Sequence, residues 1–306
     1  MSDRRALGYR LFGRAFDYLL HTRPLEWPIV AVHFLTGAAL ALGLEGLLSG
    51  RDIGALVAGT LAFVIGLNGG TLALNSAFDN DEGDIAYLRR PPPPPRGLAL
   101  FGLVLMFAGL AVAARLPRPF AVAYLVCLIF SVLYSVPPLR LKAVAGADLL
   151  INMAGFGLLT PYAGWALTGV PVGGPGTTVI VAFALLFGGL YPLTQLYQLE
   201  EDRRRGDRTL ACVLGLDRSL GLSLLLVGMA FAAFGVASLQ SDWSGAGDEV
   251  FRWAALAVAL LTWAVVLGPW WRHRAALSPA EHQAGMHRAL AAWAVTDMAV
   301  LFAWAR

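Results

Sequence analysis

The chain has 306 residues, of which 58% are hydrophobic and only 14% are charged, and its mean hydropathy is +0.64. Soluble globular domains carry about 25% charged residues, so this composition excludes a soluble domain, an intrinsically disordered chain and a disulfide scaffold. The net charge of +3 is small, and both cysteines, Cys127 and Cys212, lie in or beside apolar runs. We therefore predict a polytopic membrane protein.

Residues 8–20 precede the first long apolar run and have an amphipathic pattern, with apolar side chains on one helical face and charged ones on the other. This pattern predicts a helix lying in the membrane interface, and a frayed basic tail is the alternative. The apolar stretch after Trp27 is too long for a cleavable signal peptide. We interpret residues 1–26 as an interfacial segment of a single transmembrane domain that comprises residues 1–306.

Nine stretches are long and apolar enough to cross a bilayer, which takes about 20 mostly apolar residues. They lie near residues 27–49, 53–77, 98–116, 119–137, 147–169, 177–199, 216–239, 250–271 and 288–305. The alternating strands that an outer-membrane barrel requires do not occur. The expected fold is an all-α integral membrane bundle of about nine transmembrane helices.

The basic residues predict the orientation of this bundle. If the N-terminus and the loops after every second span share one side, that side holds most of the 23 lysines and arginines. The other side keeps only Arg51, Arg115, Arg118, Arg252 and Arg306. Because positive loops stay in the cytoplasm, we expect a cytoplasmic N-terminus, an outer C-terminus and a location in the cell (inner) membrane.

The second span ends in a motif rich in oxygen ligands, Asn75-Ser-Ala-Phe-Asp79-Asn-Asp81-Glu82-Gly-Asp84. A continuing helix places Asn75, Asp79 and Glu82 on one face, with Asp81 and Asp84 to the side. Clustered carboxylates repel one another, and hard oxygen ligands suit Mg²⁺, which completes its shell with substrate phosphates. We predict Mg²⁺ ligands here, and a solvated acidic helix end is the alternative.

The sixth span ends in a second polar motif. Tyr191, Gln195, Gln198 and Asp202 are spaced by four, three and four residues, so a continuous helix places them on one face. Polar residues at this depth of a membrane are expensive and are functional candidates by default. We therefore predict a functional site at this helix end.

A third motif follows the fourth span and reads Tyr134-Ser-Val-Pro-Pro-Leu-Arg140-Leu-Lys142. The two prolines end the helix and leave Arg140 and Lys142 at its mouth. Alone this is an ordinary positive-inside loop, but beside two acidic helix ends it supplies cations for a polyanion. Arg90 and Arg208 add to the same positive field.

These three motifs lie on the predicted cytoplasmic side and describe a pocket with a charged mouth and apolar walls. An isoprenyl diphosphate has the matching diphosphate head and long hydrocarbon tail. Mg²⁺ and basic side chains would stabilise the departing diphosphate, and the bilayer-embedded walls would shield the allylic carbocation from water. The mouth of the pocket is expected to face the cytoplasm.

The set of motifs resembles the UbiA superfamily of intramembrane prenyltransferases. The resemblance extends from His21-Thr-Arg23-Pro24 onward, and the third motif and the run Gly206-Asp-Arg-Thr-Leu210 match closely. It implies a diphosphate and Mg²⁺ site on the following residues: Asn75, Asp79 and Asp202, assisted by Lys142 and Tyr134. We extend the predicted diphosphate contacts to Arg140, Gln195, Arg90 and Arg208, and we predict Asp79, Asp202, Gln198 and Lys142 as catalytic.

The chain departs from the family pattern at several positions. Gly83 replaces the last aspartate of the first motif, and Gln195 and Gln198 stand where the second motif has aspartates. Glutamine cannot accept a proton as a general base, which argues against a phenolic acceptor. The five prolines Pro91–Pro95 predict a stiff polyproline segment over the pocket mouth.

The leading functional prediction is an Mg²⁺-dependent prenyltransferase that uses an isoprenyl diphosphate and a lipophilic acceptor. The alternatives are a terpene synthase on the same scaffold and, less favoured, a transporter or lipid-binding protein. No nucleic-acid partner is expected, and the sequence does not specify the donor length, the acceptor or the oligomeric state. Four further polar residues lie in the spans: Asp148 and Asn152 as possible pocket residues, His33 as a helix-packing residue, and Asp297, whose partner the sequence does not reveal.

Overall fold

The computed structural model describes residues 3–49, 53–79, 84–85, 87–241, 243 and 247–305, and this part of the chain consists of helices and loops without strands. The α-helices are α1 (Asp3–Phe12), α2 (Phe16–His21), α3 (Trp27–Leu48), α4 (Ile53–Leu61), α5 (Gly70–Asp79), α6 (Leu98–Ala113), α7 (Arg118–Ser135), α8 (Ala147–Asn152), α9 (Thr160–Leu167), α10 (Gly174–Gln195), α11 (Leu199–Arg205), α12 (Leu210–Gln240), α13 (Glu249–His273) and α14 (Pro279–Trp304). Wider π-helical turns, Ala62–Gly69 and Met153–Leu159, connect α4 to α5 and α8 to α9. The predicted all-helical membrane fold is confirmed.

Each predicted span falls on helical structure in the described residues. Six segments are long and apolar enough to cross a membrane: Trp27–Leu48, Ile53–Asp79, Arg118–Ser135, Gly174–Arg205, Leu210–Gln240 and Glu249–Ala276. The apolar helix α6 is shorter, and the stretches near 147–169 and 288–305 fall on α8–α9 and on α14. The chain is a multi-pass membrane protein, and its orientation stays a prediction.

The N-terminal segment is helical, as the amphipathic pattern predicts. A 3-10 turn joins α1 to α2, and the Tyr9 hydroxyl donates a hydrogen bond to Asp17 across 2.6 Å. Leu11 and Phe12 are 67% and 58% exposed. Exposed apolar side chains on such a helix are typical of an interfacial segment.

The first compact unit comprises Met1–Val32 and Asp52–Arg140. Its helices α5 and α6 approach closely because glycines face each other: a Cβ on Gly102 would lie 2.7 Å from the carbonyl oxygen of Gly70. Small residues at membrane helix interfaces allow such backbone contact. The buried Tyr124 of α7 donates a hydrogen bond to the carbonyl oxygen of Met106 across 2.9 Å. These contacts fix α5, which carries Asp79 at its end.

The second compact unit comprises His33–Arg51 and Leu141–Arg306. Its core contains the fully buried rings of Phe183, Phe234, Trp263 and Trp293, together with aliphatic residues of α10, α12 and α14. Aromatic side chains bury large areas and therefore contribute strongly to packing. This core holds α10, from which the second polar motif continues.

A buried pair of polar side chains links α3 to α14 within this unit. His33 Nδ1 lies 3.0 Å from Asp297 Oδ1, and the two residues are 0% and 1% exposed. The rings of Phe183 and Trp293 pack against the imidazole at centroid distances of 4.9 and 4.8 Å. His33 is thus the partner of Asp297.

Candidate active site

The first acidic motif occupies the last turn of α5. Asp79 is 5% exposed, and its Oδ1 atom lies 3.8 Å from Nη2 of Arg140. The Oδ1 atom of Asn75 is buried and has no hydrogen-bond partner in the described part of the chain. Asp81 and Glu82 lie outside the described residues. The first unit therefore brings Asp79 and Arg140 together. One helical turn earlier, the amide oxygen of Asn75 is available as a metal ligand.

The loop after α5 uses Asp84 to organise its own backbone. The Oδ1 atom of Asp84 accepts the backbone N–H of Arg90 across 2.9 Å. Arg90 has a φ of +46° and Arg140 a φ of +35°. Non-glycine residues avoid this region, and such backbone strain concentrates at functional sites. The side chain of Arg90 is exposed, so its charge is accessible.

The third motif begins in the first unit at the end of α7. Tyr134 is half-buried, whereas Ser135 is fully buried, and its hydroxyl has no hydrogen-bond partner among the described residues. After the prolines, the backbone N–H of Arg140 donates to the carbonyl oxygen of Val136 across 3.0 Å. This turn directs the chain back so that the Arg140 guanidinium can reach Asp79.

In the second unit, Asp148 is a fully buried carboxylate that accepts several hydrogen bonds. Its Oδ1 atom accepts the backbone N–H groups of Gly146 and Leu149 at 2.8 and 2.9 Å. Its Oδ2 atom accepts the amide of Gln195 at 3.0 Å and the backbone N–H of Leu210 at 2.8 Å. The carboxylate is compensated by these donors and joins the starts of α8 and α12 to α10. Its neighbour Asn152 donates to the Asp148 carbonyl oxygen across 2.9 Å.

The amide of Gln195 is engaged on both sides. Its Nε2 group also donates to the Tyr191 hydroxyl at 3.0 Å, and its Oε1 atom accepts the backbone N–H of Ala211 at 3.1 Å. Since both amide hydrogens are used, a bound diphosphate would have to compete for them. The geometry gives Gln195 a positioning role between α10 and α12.

The second motif is not one continuous helix. α10 ends at Gln195, and a 3-10 turn, Leu196–Gln198, precedes α11. Pro192 lacks an N–H group, and the Thr194 hydroxyl donates to the Tyr191 carbonyl oxygen across 2.7 Å, so both residues interfere with regular helical bonding here. The face expected from the spacing therefore ends at Gln195. Gln198, which is half-buried, belongs to the turn, and the buried Asp202 belongs to α11.

Asp202 is buried, at 6% exposed, and contacts a cation. Its Oδ1 atom accepts a hydrogen bond from Arg205 Nη2 across 2.8 Å, and its Oδ2 atom lies 3.5 Å from the Thr209 hydroxyl. Arg205 Nε lies 3.7 Å from Oδ2 of a second buried carboxylate, Asp207. Gly206, with φ +77°, ends α11 in the left-handed conformation and lets the chain turn between these groups.

Within the second unit, a short backbone pairing brings the residues that follow Lys142 to the loop before α12. The backbone N–H of Arg208 donates to the Ala143 carbonyl oxygen across 3.2 Å, next to a parallel bridge between Val144 and Arg208. Electrostatic attraction acts between Lys142 and Asp202 as a result. The Arg208 side chain itself is exposed.

The comparisons with known proteins identify the family. Residues 30–286 match the model of the UbiA prenyltransferase family. The chain belongs to this family. A comparison with curated protein sequences found no match.

Solved structures share the UbiA fold with this chain. A UbiA homologue from Archaeoglobus fulgidus bound to GPP and Mg²⁺ has a TM-score of 0.72 at 20% identity, covering 94% of this chain and 99% of that one. A digeranylgeranylglyceryl phosphate synthase has a TM-score of 0.67 at 14% identity, covering 94% and 97%. A UbiA homologue from Aeropyrum pernix K1 has a TM-score of 0.57 at 18% identity, covering 90% and 96%.

The described residues contain no group of three or more histidines, cysteines, aspartates or glutamates that could hold a metal. Two of the predicted carboxylates, Asp81 and Glu82, lie outside this part of the chain. The oxygens of Asn75 and Asp79 fit the preference of Mg²⁺ for hard ligands, since a buried amide oxygen without a donor needs a partner.

The structure adds a pair of oppositely charged residues that the sequence did not single out as a pair. Arg23 is 8% exposed, and its Nη1 atom lies 3.9 Å from Oε1 of Glu26. Burial raises the pKa of Glu26, and the nearby Arg23 guanidinium opposes that shift. In the sequence, this pair is indicated by two charged residues, Arg23 and Glu26, that stand immediately before an apolar span. Arg205 and Thr209 were also missed. Arg205 contacts Asp202 from three residues further along α11, whereas Thr209 approaches it only after the turn at Gly206.

Proposed function

We propose that this UbiA-family protein is an Mg²⁺-dependent intramembrane prenyltransferase that moves an isoprenyl group from an isoprenyl diphosphate to a lipophilic acceptor. One observation carries the proposal: the segment around residues 140–142 supplies a cation to each acidic motif. Arg140 contacts Asp79 in the first unit, and Lys142 attracts Asp202 in the second unit. Carboxylates can hold a metal ion and neighbouring cations can bind phosphate, so this arrangement suits a diphosphate that binds together with Mg²⁺.

The reaction needs a charged leaving group to be stabilised. As the allylic C–O bond breaks, its electron pair goes to the diphosphate, and Arg140 and Lys142 offset the growing negative charge. When Mg²⁺ is bound through Asn75 and Asp79, it neutralises phosphate charge as a Lewis acid. Structures of the Archaeoglobus fulgidus homologue bound to GPP or DMAPP together with Mg²⁺ support this assignment.

The glutamines of the second motif favour a second candidate, a terpene synthase that ionises the diphosphate without an acceptor. Neither Gln195 nor Gln198 can accept a proton, and the Gln195 amide is already hydrogen-bonded to Asp148 and Ala211. A carbocation could then cyclise or lose a proton within the apolar interior. For either reaction we propose a cytoplasmic mouth in the cell's inner membrane.

The test uses purified protein in detergent with Mg²⁺ and C10 to C20 allylic diphosphates, with diphosphate release and extracted products as readouts. We expect Asp79→Asn and Asp202→Asn each to lower Mg²⁺-dependent release by about 100-fold or more, as for loss of a principal electrostatic contact. Asp217→Asn is the matched control, because Asp217 is exposed and pairs with Arg274. Full activity of either test variant would contradict the site.

The products distinguish the two candidates. Hydrocarbon formed in the absence of acceptor would identify the terpene synthase. Release that needs an added acceptor, with a prenylated product, would identify the transferase.

A further inference from the structure

The polyproline segment Pro91–Pro95 is held by side chains of α2. Proline has no N–H group, so its segment cannot form a regular hydrogen-bonded element, and its carbonyl groups need external donors. His21 Nε2 lies 3.1 Å from the Pro92 carbonyl oxygen, and the Tyr18 hydroxyl donates to the Arg96 carbonyl oxygen across 2.6 Å. The prolines are thereby fixed as one wall of a cavity.

This cavity has a volume of about 270 Å³. It is lined by His21, Ser76, Ile85, Pro91, Pro92, Pro93 and Pro94. A water molecule takes about 30 Å³ of liquid volume, so the space suits a ring-sized group and exceeds that of a single water. With His21 neutral, none of the described lining side chains carries a charge, which disfavours a phosphate or carboxylate ligand.

Two polar atoms of the lining have no partner in the described part of the chain. They are Nδ1 of His21 and Oγ of Ser76, and the two residues are 1% and 2% exposed. If Nε2–H donates to Pro92, as the 3.1 Å contact requires, the neutral ring leaves Nδ1 as an acceptor. Buried polar atoms are normally satisfied, so two unsatisfied atoms in one cavity point to a ligand that supplies both a donor and an acceptor.

The protonation state of His21 agrees with this role. Burial lowers the pKa of His21, and the positive charge of Arg23 acts in the same direction. The carboxylate of Asp17 and the contact with the Pro92 carbonyl oppose the shift. A neutral imidazole is the form that can accept a proton.

We propose that this cavity binds the hydroxyl-bearing head of the acceptor, with His21 Nδ1 accepting its proton and Ser76 Oγ donating to its oxygen. The inference rests on the proposed function and assigns the general base that the second motif lacks. Ser76 lies three residues before Asp79 in α5, and residues three apart are neighbours on a helix surface. The hydroxyl is therefore held beside the first acidic motif.

The proposed step balances with the diphosphate as the leaving group. The acceptor oxygen forms a bond to the allylic carbon while the allylic C–O bond breaks and its electrons leave with the diphosphate. The hydroxyl proton moves to His21 Nδ1. Aromatic and aliphatic alcohols both carry an uncharged hydroxyl, so the probes must include one alcohol of each class.

The experiment measures binding and transfer separately. Saturation-transfer NMR records binding of 4-hexylphenol and 1-decanol, each compared with its methyl ether, to the full chain in detergent. Transfer from GPP with Mg²⁺ is followed by product extraction. The test variants are Ser76→Ala and His21→Gln, whose amide can still donate to Pro92 but has no acceptor at the Nδ1 position. Thr60→Ala is the control, since the Thr60 hydroxyl donates to the Leu56 carbonyl oxygen in its own helix and Thr60 is not among the described residues that line the cavity.

We expect at least one alcohol to bind more tightly than its ether and to be prenylated. His21→Gln and Ser76→Ala should lower alcohol transfer by about 10-fold or more, which is within the usual contribution of acid–base catalysis or a lost hydrogen bond. Thr60→Ala should transfer normally, and Ser76→Ala should keep or raise the Tm because it removes an unsatisfied hydroxyl. The phenol and decanol arms show which alcohol class fits.

Equal binding of alcohols and ethers, or unchanged transfer in both test variants, would overturn the inference. A lower Tm of Ser76→Ala with unchanged alcohol binding would also overturn it, because Ser76 would then be structural. Failure of the proposed function has a different signature: the wild-type protein would release no diphosphate from GPP with Mg²⁺, whatever the cavity binds.

Discussion

Gln195 donates a hydrogen bond to Asp148 across 3.0 Å, and the same carboxylate oxygen accepts the backbone N–H of Leu210 at 2.8 Å. A glutamine of the second motif and a carboxylate of α8 thus hold the first turn of α12. Thr209 caps that turn by accepting the backbone N–H of Cys212 at 3.3 Å. The arrangement satisfies N–H groups that every helix start leaves unpaired.

Asp148→Ala should lower the free energy of unfolding by about 3 kcal/mol or more, because it leaves buried donors unsatisfied. The donors include the backbone N–H groups of Gly146, Leu149 and Leu210. Reversible unfolding in mixed detergent measures the change. Asp217→Ala serves as the exposed control and should change stability little; similar stability of the two variants would contradict the role of Asp148.

Gln195→Glu should destabilise the protein, because it replaces a donor to Asp148 with a second carboxylate. The exchange variant Gln195→Glu/Asp148→Asn restores one donor and one acceptor at the 3.0 Å contact and should recover part of the lost Tm. A thermal unfolding series on the wild type, both single variants and the double variant measures this coupling. Additive losses would show that the two side chains act independently.

The contact between Gln195 and Asp148 could be predicted from the sequence only in part. Spacing placed Gln195 on a polar helical face, and Asp148 was predicted as a possible pocket residue. Helical periodicity is a local property that a sequence carries directly. Whether Asp148 binds a ligand or accepts hydrogen bonds from the unpaired N–H groups at a helix start is not a local property of the sequence. It depends on the backbone N–H of Leu210, which is 62 residues from Asp148 in the chain.

The same limit applies to the acidic motifs. Hydropathy predicted the six described segments that are long and apolar enough to cross a membrane, since apolar length is a composition property. The turn at residues 196–198 interrupts a face that the spacing of the second motif suggested to be continuous. The electrostatic attraction between Lys142 and Asp202 follows from the backbone pairing of Arg208 with Ala143, which no side-chain pattern encodes.

Gly164→Ala should destabilise the second unit, because α9 and α3 touch at this position. An added Cβ would overlap the carbonyl oxygen of Phe34 and would lie 3.2 Å from the backbone nitrogen of Ala38. Overpacking typically costs about 1–3 kcal/mol. Gly228→Ala is the matched helical control, since a Cβ there meets nothing within 4 Å. Unfolding in detergent should show loss for the first variant and none for the second.

The buried His282 should make stability depend on pH. Burial lowers its pKa below the ordinary 6.5, and the nearby Glu281 opposes the shift. The Trp270 indole donates to His282 Nδ1 across 2.9 Å, so the folded state favours the neutral ring. The unfolded chain therefore takes up a proton more readily, and this contribution to stability, complete above pH 6.5, is lost as the pH falls from 6.5 through the lower folded pKa.

The measurement compares the wild type with His282→Gln. Because the wild type alone loses this contribution on acidification, its stability relative to the variant should decrease between about pH 7.5 and about pH 5.5. His273→Gln is the control, because His273 is exposed and bonds only its own helix turn through Pro269. A stability difference that stays constant with pH would contradict the proposed linkage.

The pair of His33 and Asp297 provides the sharpest test of packing in the second unit. The two groups contact each other at 3.0 Å and are buried among the rings of Phe183 and Trp293. His33→Leu leaves the Asp297 carboxylate without its partner and should cost about 3–5 kcal/mol, as when one member of a buried pair is removed. The double variant His33→Leu/Asp297→Leu replaces both polar groups with apolar ones and should recover most of that loss, since apolar replacement of a whole buried pair is often neutral or stabilising. Free energies of unfolding for the wild type, both single variants and the double variant give the coupling energy. A double variant as unstable as the sum of the singles would mean that the pair does not act as a unit and that Asp297 has another role.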